Sequence, residues 1–151
     1  MGVQYIDSLY LTVKSYCLFK MVILFDRFNI PEDVYEVIFA TKQQKIVGKL
    51  LINYIKDNGS EITKTEMSTF ATTLHNGEMI TEIDEAPFQG KKVKISYNKR
   101  QFYDRILTPM KAMGLIDYNL YKKTYKISDM FYKAVMKIGL MWKQEIEKPV
   151  Q

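Results

Sequence analysis

NKRQFYDRILTPMKAMGLIDYNLYKKTYKIS, residues 98–128, is the stretch that decides the fold. Asn98 and Gln101 make an N-cap pair, because the Asn side chain takes an orphan N–H of the first helical turn and the Gln reaches back to the cap. Phe102, Ile106, Leu107, Met110 and Met113 then recur at helical spacing, which leaves Arg100, Asp104, Thr108 and Lys111 on a different face. Gly114 suits the left-handed residue that closes a helix. Beyond it, Ile116, Tyr118 and Leu120 alternate with Asp117 and Asn119, and Tyr125 and Ile127 resume the alternation after Lys122 and Lys123. A helix, a sharp stop and a two-stranded ribbon with a lysine tip are expected.

A polar-headed helix running into Met113-Gly114-Leu115-Ile116, then a charged hairpin, then another amphipathic helix, resembles the second half of a winged helix-turn-helix domain. Such domains are found in small prokaryotic, archaeal and viral regulators. The resemblance covers roughly residues 42–146 in outline and rests on pattern. It implies that Lys99 to Met113 is a recognition helix for the DNA major groove, and that Leu115 to Ser128 is the wing that touches the backbone.

Working outward, a 151-residue chain with no Pro-, Gly- or Ser-rich tract is expected to form one domain with a well-buried core. Its parts are an N-terminal helical extension (1–40), a winged core (41–128) interrupted by an insertion (76–97), and a C-terminal helix (129–151). Hydrophobic residues at 47% exclude general disorder. Cys17 is the single cysteine, so an internal disulfide is ruled out and a reducing cytoplasm is permitted. The net charge is +5, and its placement says more than its size. Residues 91–126 carry ten basic and two acidic side chains, whereas residues 61–90 carry one and six. A solvated face usually mixes signs, so the segregation favours a polyanionic partner.

Before the quoted stretch, Thr63 and Glu66 mark a capping box, with Met67, Phe70, Ala71 and Leu74 behind it and a stop at Asn76 and Gly77. Ile62 is placed to pair with the wing as a short strand. Thr41 and Gln44 cap a helix whose stripe is Ile46, Val47, Leu50, Leu51, Tyr54 and Ile55, ending at Asn58 and Gly59. Pro31 at a first helical position, with Glu32 and Asp33 in the first turn, opens a shorter helix that breaks near Ala40. Helix-turn-helix connections are three or four residues long, but residues 76–97 intervene here. There Val93, Ile95 and Tyr97 alternate with Lys92, Lys94 and Ser96, so a hairpin or strand after an acidic loop is expected.

Two apolar elements flank this core. Tyr5 to Phe28 carries a helical stripe including Ile6, Leu9, Val13, Cys17, Met21, Leu24 and Phe28, interrupted by Asp7, Lys14 and Lys20. That rules out a lipid span of about 20 uncharged residues and leaves a core helix or half of a dimer interface, with a strand still open on its β-branched residues. After Ser128 or Asp129, Phe131, Ala134, Val135, Ile138, Met141, Trp142 and Ile146 form a second stripe ending before Pro149.

Nucleophile, metal and phosphate-loop motifs are missing from the sequence. His75, the one histidine, reads as a helix-end residue. Glu78, Glu82, Asp84 and Glu85 lack calcium-loop spacing and read as a solvated acidic loop. The expectation is a cytoplasmic, non-enzymatic, cofactor-free regulator of transcription that binds double-stranded DNA sequence-specifically as a homodimer through its terminal helices. Arg100 and Arg105 suit guanine edges, Gln101 adenine, and Lys111, Lys122 and Lys123 phosphates. Lys91, Lys92, Lys94, Lys99, Tyr103, Thr108, Tyr121 and Lys126 complete the expected surface. The alternatives are a winged module that meets an acidic protein within a larger complex, and a non-specific architectural DNA-binding protein.

Overall fold

The computed structural model describes residues 27–83 and 89–150, so residues 5–26 of the first apolar stripe lie outside the described residues, as do Asp84 and Glu85. The chain divides into two compact units, Met1–Lys42 and Gln43–Gln151. It is helix-rich, with two small antiparallel sheets.

In the first unit, helix α1 (Val34–Ile38) begins three residues later than the expected proline start. Asp33 is the reason: its carboxylate accepts the Tyr35 N–H at 2.9 Å, making it the N-cap rather than a first-turn residue. The break near Ala40 is present, since Phe39 is already extended.

The second unit opens within α2 (Lys42–Asp57), which buries Val47, Leu51, Ile52 and Ile55. The helix stops where Gly59 and Ser60 adopt left-handed backbone in succession, and the Ser60 N–H returns to the Ile55 carbonyl. Strand β1 (Glu61–Thr63) follows and runs directly into α3 (Lys64–His75). The expected capping box is complete: Thr63 Oγ1 accepts the Glu66 N–H at 3.2 Å, and the Glu66 carboxylate accepts the Thr63 N–H at 2.6 Å.

The insertion is a hairpin of β2 (Met79–Ile83) and β3 (Lys91–Ile95), with Ile80 opposite Lys94 and Glu82 opposite Lys92. Residues 99–113 then form a helical run in three parts, α4 (Lys99–Phe102), a π-helical turn (Tyr103–Leu107) and α5 (Thr108–Met113). Strands β4 (Ile116–Asn119) and β5 (Thr124–Ile127) make the second hairpin. Its first strand ends one residue short of the expected Leu120, because Asn119 Oδ1 accepts the N–H groups of Tyr121 and Lys122 and turns the chain there. β1 pairs with β5, giving the order β1-β5-β4, with Ile62 opposite Tyr125 as expected.

The core lies between these helices and the three-stranded sheet. The Phe70 ring stands 5.1 Å from that of Tyr54 and 5.6 Å from that of Phe102, so one aromatic row joins α2, α3 and α4. Phe102, Ile106, Leu107 and Met110 are fully enclosed, as the helical spacing required. Removing a ring such as Phe102 from this setting costs about 3–5 kcal/mol.

The final helix, α6 (Met130–Glu147), behaves otherwise. It is fixed at its root, where Ser128 N–H bonds the Leu115 carbonyl and Phe131 N–H bonds the Gly114 carbonyl, both at 3.0 Å. None of its 18 residues is buried. Val135, Met136, Ile138, Leu140, Met141, Trp142 and Ile146 are each 50% to 67% exposed. No helix among the described residues is long and apolar enough to cross a membrane.

Candidate nucleic-acid interface

The helical run 99–113 presents Arg100, Gln101, Asp104, Arg105, Thr108 and Lys111 to solvent along the side opposite its buried residues. Asn98 caps it, accepting the Gln101 N–H at 3.1 Å. The π-helical turn in its middle has a local cause in Pro109. A helical proline has no N–H for the ladder, and its ring crowds the carbonyl four residues back. Here the preceding N–H, that of Thr108, reaches five residues back to the Tyr103 carbonyl. The widened turn takes up the strain while keeping Arg105 and Thr108 exposed.

Lys99 differs from its neighbours. Its ammonium donates to Thr72 Oγ1 at 2.9 Å, and its backbone N–H donates to His75 Nδ1 at 3.3 Å, so it fastens the start of α4 to the end of α3. His75 is the last residue of α3, as expected. Arg100, with its side chain 91% exposed, stands 3.7 Å from the Asp104 carboxylate one turn on.

At the β4–β5 hairpin, Tyr121, Lys122 and Lys123 are exposed around a tip in which Lys123 is left-handed. The Lys123 carbonyl accepts the Lys64 N–H at 2.9 Å, which pins the tip to the beginning of α3. Lys126 sits on the outer face of the sheet in register with Glu61 on one side and Asp117 on the other, a mixed-charge row. The inserted hairpin is fastened at the far end of α3, by Tyr97 N–H to the Leu74 carbonyl and Ser96 Oγ to the His75 carbonyl. Lys91, Lys92 and Lys94 on β3 are all exposed, with Glu82 in register opposite Lys92. The two lysine groups are therefore anchored at opposite ends of a 12-residue helix, roughly 18 Å apart along its axis at 1.5 Å per residue. The helical run 99–113 carries the arginines between them in sequence.

Three residues outside the expected set bear on this surface. Pro109 shapes the helix, and its place inside an otherwise helical pattern is the sequence signal for a distortion. Tyr118 and Tyr125 are cross-strand partners whose rings lie 4.5 Å apart, and the Lys111 ammonium lies 5.7 Å from the Tyr118 ring centroid. Their pairing was readable only once the register of the hairpin was known.

No family model, no curated protein and no solved structure matches the chain.

Proposed function

We propose that this protein is a winged helix-turn-helix protein that binds double-stranded DNA sequence-specifically and regulates transcription as a homodimer. The element order α2, β1, α3, α4–α5, β4, β5, with the sheet order β1-β5-β4, supports the winged arrangement, and the β2–β3 hairpin occupies the insertion before the recognition helix. The observation that carries the DNA assignment is the exposed stripe Arg100, Gln101, Arg105, Thr108 and Lys111 on a capped helix that leads into a lysine-tipped hairpin. Those side-chain types supply fork donors for guanine, an amide for adenine and cations for phosphate. The ten-to-two excess of basic over acidic residues in 91–126 adds the long-range attraction that brings a polyanion to this face.

The homodimer rests on α6. A helix with its apolar side chains uncovered along its whole length gains stability when a second copy covers them, by about 25 cal/mol per Å² removed from water. A two-fold pair also sets two recognition helices about one DNA turn, roughly 34 Å, apart, which calls for a palindromic site.

Selection of the full-length protein against random duplexes tests this. Enrichment of a recurring, inverted-repeat motif is expected. Enrichment without recurring bases makes the protein a non-specific coating, and no enrichment over input leaves the basic face to an acidic protein partner.

A further inference from the structure

We infer that Tyr103, Tyr118, Tyr125 and Lys111 form a donor cluster that holds one phosphate of the DNA backbone at the junction between the recognition helix and the wing. It rests on the DNA reading above and gives that surface a fixed anchoring point.

The cluster is assembled from four elements. Tyr118 on β4 and Tyr125 on β5 are directly opposed across the hairpin, rings 4.5 Å apart. Lys111 on α5 reaches over the Tyr118 ring from the helix side. Tyr103, half-buried in the π-helical turn of the same helical run as Lys111, bears on Tyr125 electrostatically. Tyr125 is held above the ordinary phenol pKa, first by burial and then by coulombic repulsion from Tyr118 and Tyr103, so it remains a neutral donor at physiological pH.

What these donors lack is an acceptor. Among the described residues none of the three hydroxyls has a hydrogen-bond partner, and Lys111 has no carboxylate partner. The hydroxyls nevertheless reach the surface, because no polar side-chain atom among the described residues is both enclosed and unbonded. Of the two acids in residues 91–126, Asp117 stands in register with Lys126 and Asp104 beside Arg100. Three phenol O–H groups and one ammonium match a tetrahedral anion with several acceptor oxygens. Tyrosine hydroxyls and lysines are ordinary partners of backbone phosphate. A diester in duplex DNA is favoured over a free anion because the cluster lies between the two elements that would flank a docked duplex.

Tyr118→Phe and Tyr125→Phe delete a hydroxyl and keep the ring, and therefore keep the stack. With the full-length protein, dissociation constants at fixed low salt are measured for a random-sequence duplex about two turns long and for the selected site. Each variant is expected to weaken both duplexes by the same factor, roughly 3- to 10-fold. Combined with Lys111→Ala, either change should lose less than the product of the single effects, since all three act on one phosphate. The inference is overturned if both variants stay within about twofold of the unaltered protein, or if the loss is confined to the selected site. It is also overturned if inorganic phosphate alone shifts the three tyrosine ring resonances saturably while the variants bind duplex normally. If the unaltered protein binds no duplex, the DNA reading fails and this site fails with it.

Discussion

Gly114 is the point where the helical run 99–113, the β4–β5 hairpin and α6 meet, and a single methyl group placed there probes all three. Its φ is +84°, in the left-handed region, where an L side chain costs about 1–2 kcal/mol. A Cβ at this position would lie 2.9 Å from both Met130 Cβ and the Phe131 backbone nitrogen. The nitrogen cannot yield without loss, because its N–H is bonded to the Gly114 carbonyl itself. Breaking that bond adds about 0.5–1.5 kcal/mol. Gly114→Ala is therefore expected to destabilise by about 1.5–3.5 kcal/mol. Gly59 provides the control: its φ is +83°, and a Cβ there meets nothing within 4 Å. Gly59→Ala should cost only the backbone term, about 1–2 kcal/mol. Urea unfolding of the two variants measures the difference directly, since the midpoint falls in proportion to the lost stability while the slope stays unchanged. Equal losses at the two glycines would refute the close approach of α6 to Gly114 and the fixed root that follows from it.

Three further outcomes follow from the same structure. Trp142→Glu, on the uncovered face of α6, should leave the fold intact and convert the protein to a monomer of 17.8 kDa by light scattering, while a dimer mass in the variant would remove α6 from the interface. Glu66 is held below its ordinary pKa of 4.5 by the N–H and then the hydroxyl of Thr63. Its contribution is thus complete above that ordinary value and is lost as pH falls below 4.5 toward the lowered one; Glu66→Gln should flatten stability against pH in that acid window, and an unchanged profile would show that the cap carries no charge-dependent part. Replacing Lys122 and Lys123 by Ala should weaken all duplexes alike and reduce the salt slope, whereas Arg105→Ala should cost about 1–3 kcal/mol on the selected site only; the reverse pattern would exchange the roles of wing and helix.

Much of this architecture was legible because local chemistry and tertiary packing agree. Thr63 and Glu66 form their capping box, Gly114 takes the left-handed closing position, Ile62 pairs with the β4–β5 hairpin, and the alternation of Val93, Ile95 and Tyr97 with Lys92, Lys94 and Ser96 separates half-buried and buried from exposed side chains on and beside β3. The misplaced boundaries share one cause, a side chain competing for backbone donors. Asp33 takes the Tyr35 N–H and moves the start of α1; Asn119 takes those of Tyr121 and Lys122 and ends β4 early. Pro109 hides a different effect, because helical periodicity counts side chains and does not register a ladder hydrogen bond that has slipped by one residue. Individual lysines resisted assignment for a related reason: Lys99 belongs to a run of cations, yet its ammonium is fixed on Thr72, and only the packing of α4 on α3 reveals that. The tyrosine cluster needed the strand register and the helix position together.

The affinity of the full-length protein for a duplex as a function of salt tests the proposed binding of DNA by this basic surface. Neutralised phosphates release counterions, and log K falls with log salt by about 0.9 for each. Lys111, Lys122 and Lys123 alone call for a slope of magnitude about 3 per protomer, with binding that is tight at low ionic strength. No measurable binding at low salt, or a slope near zero, would contradict the assignment of this basic surface to DNA.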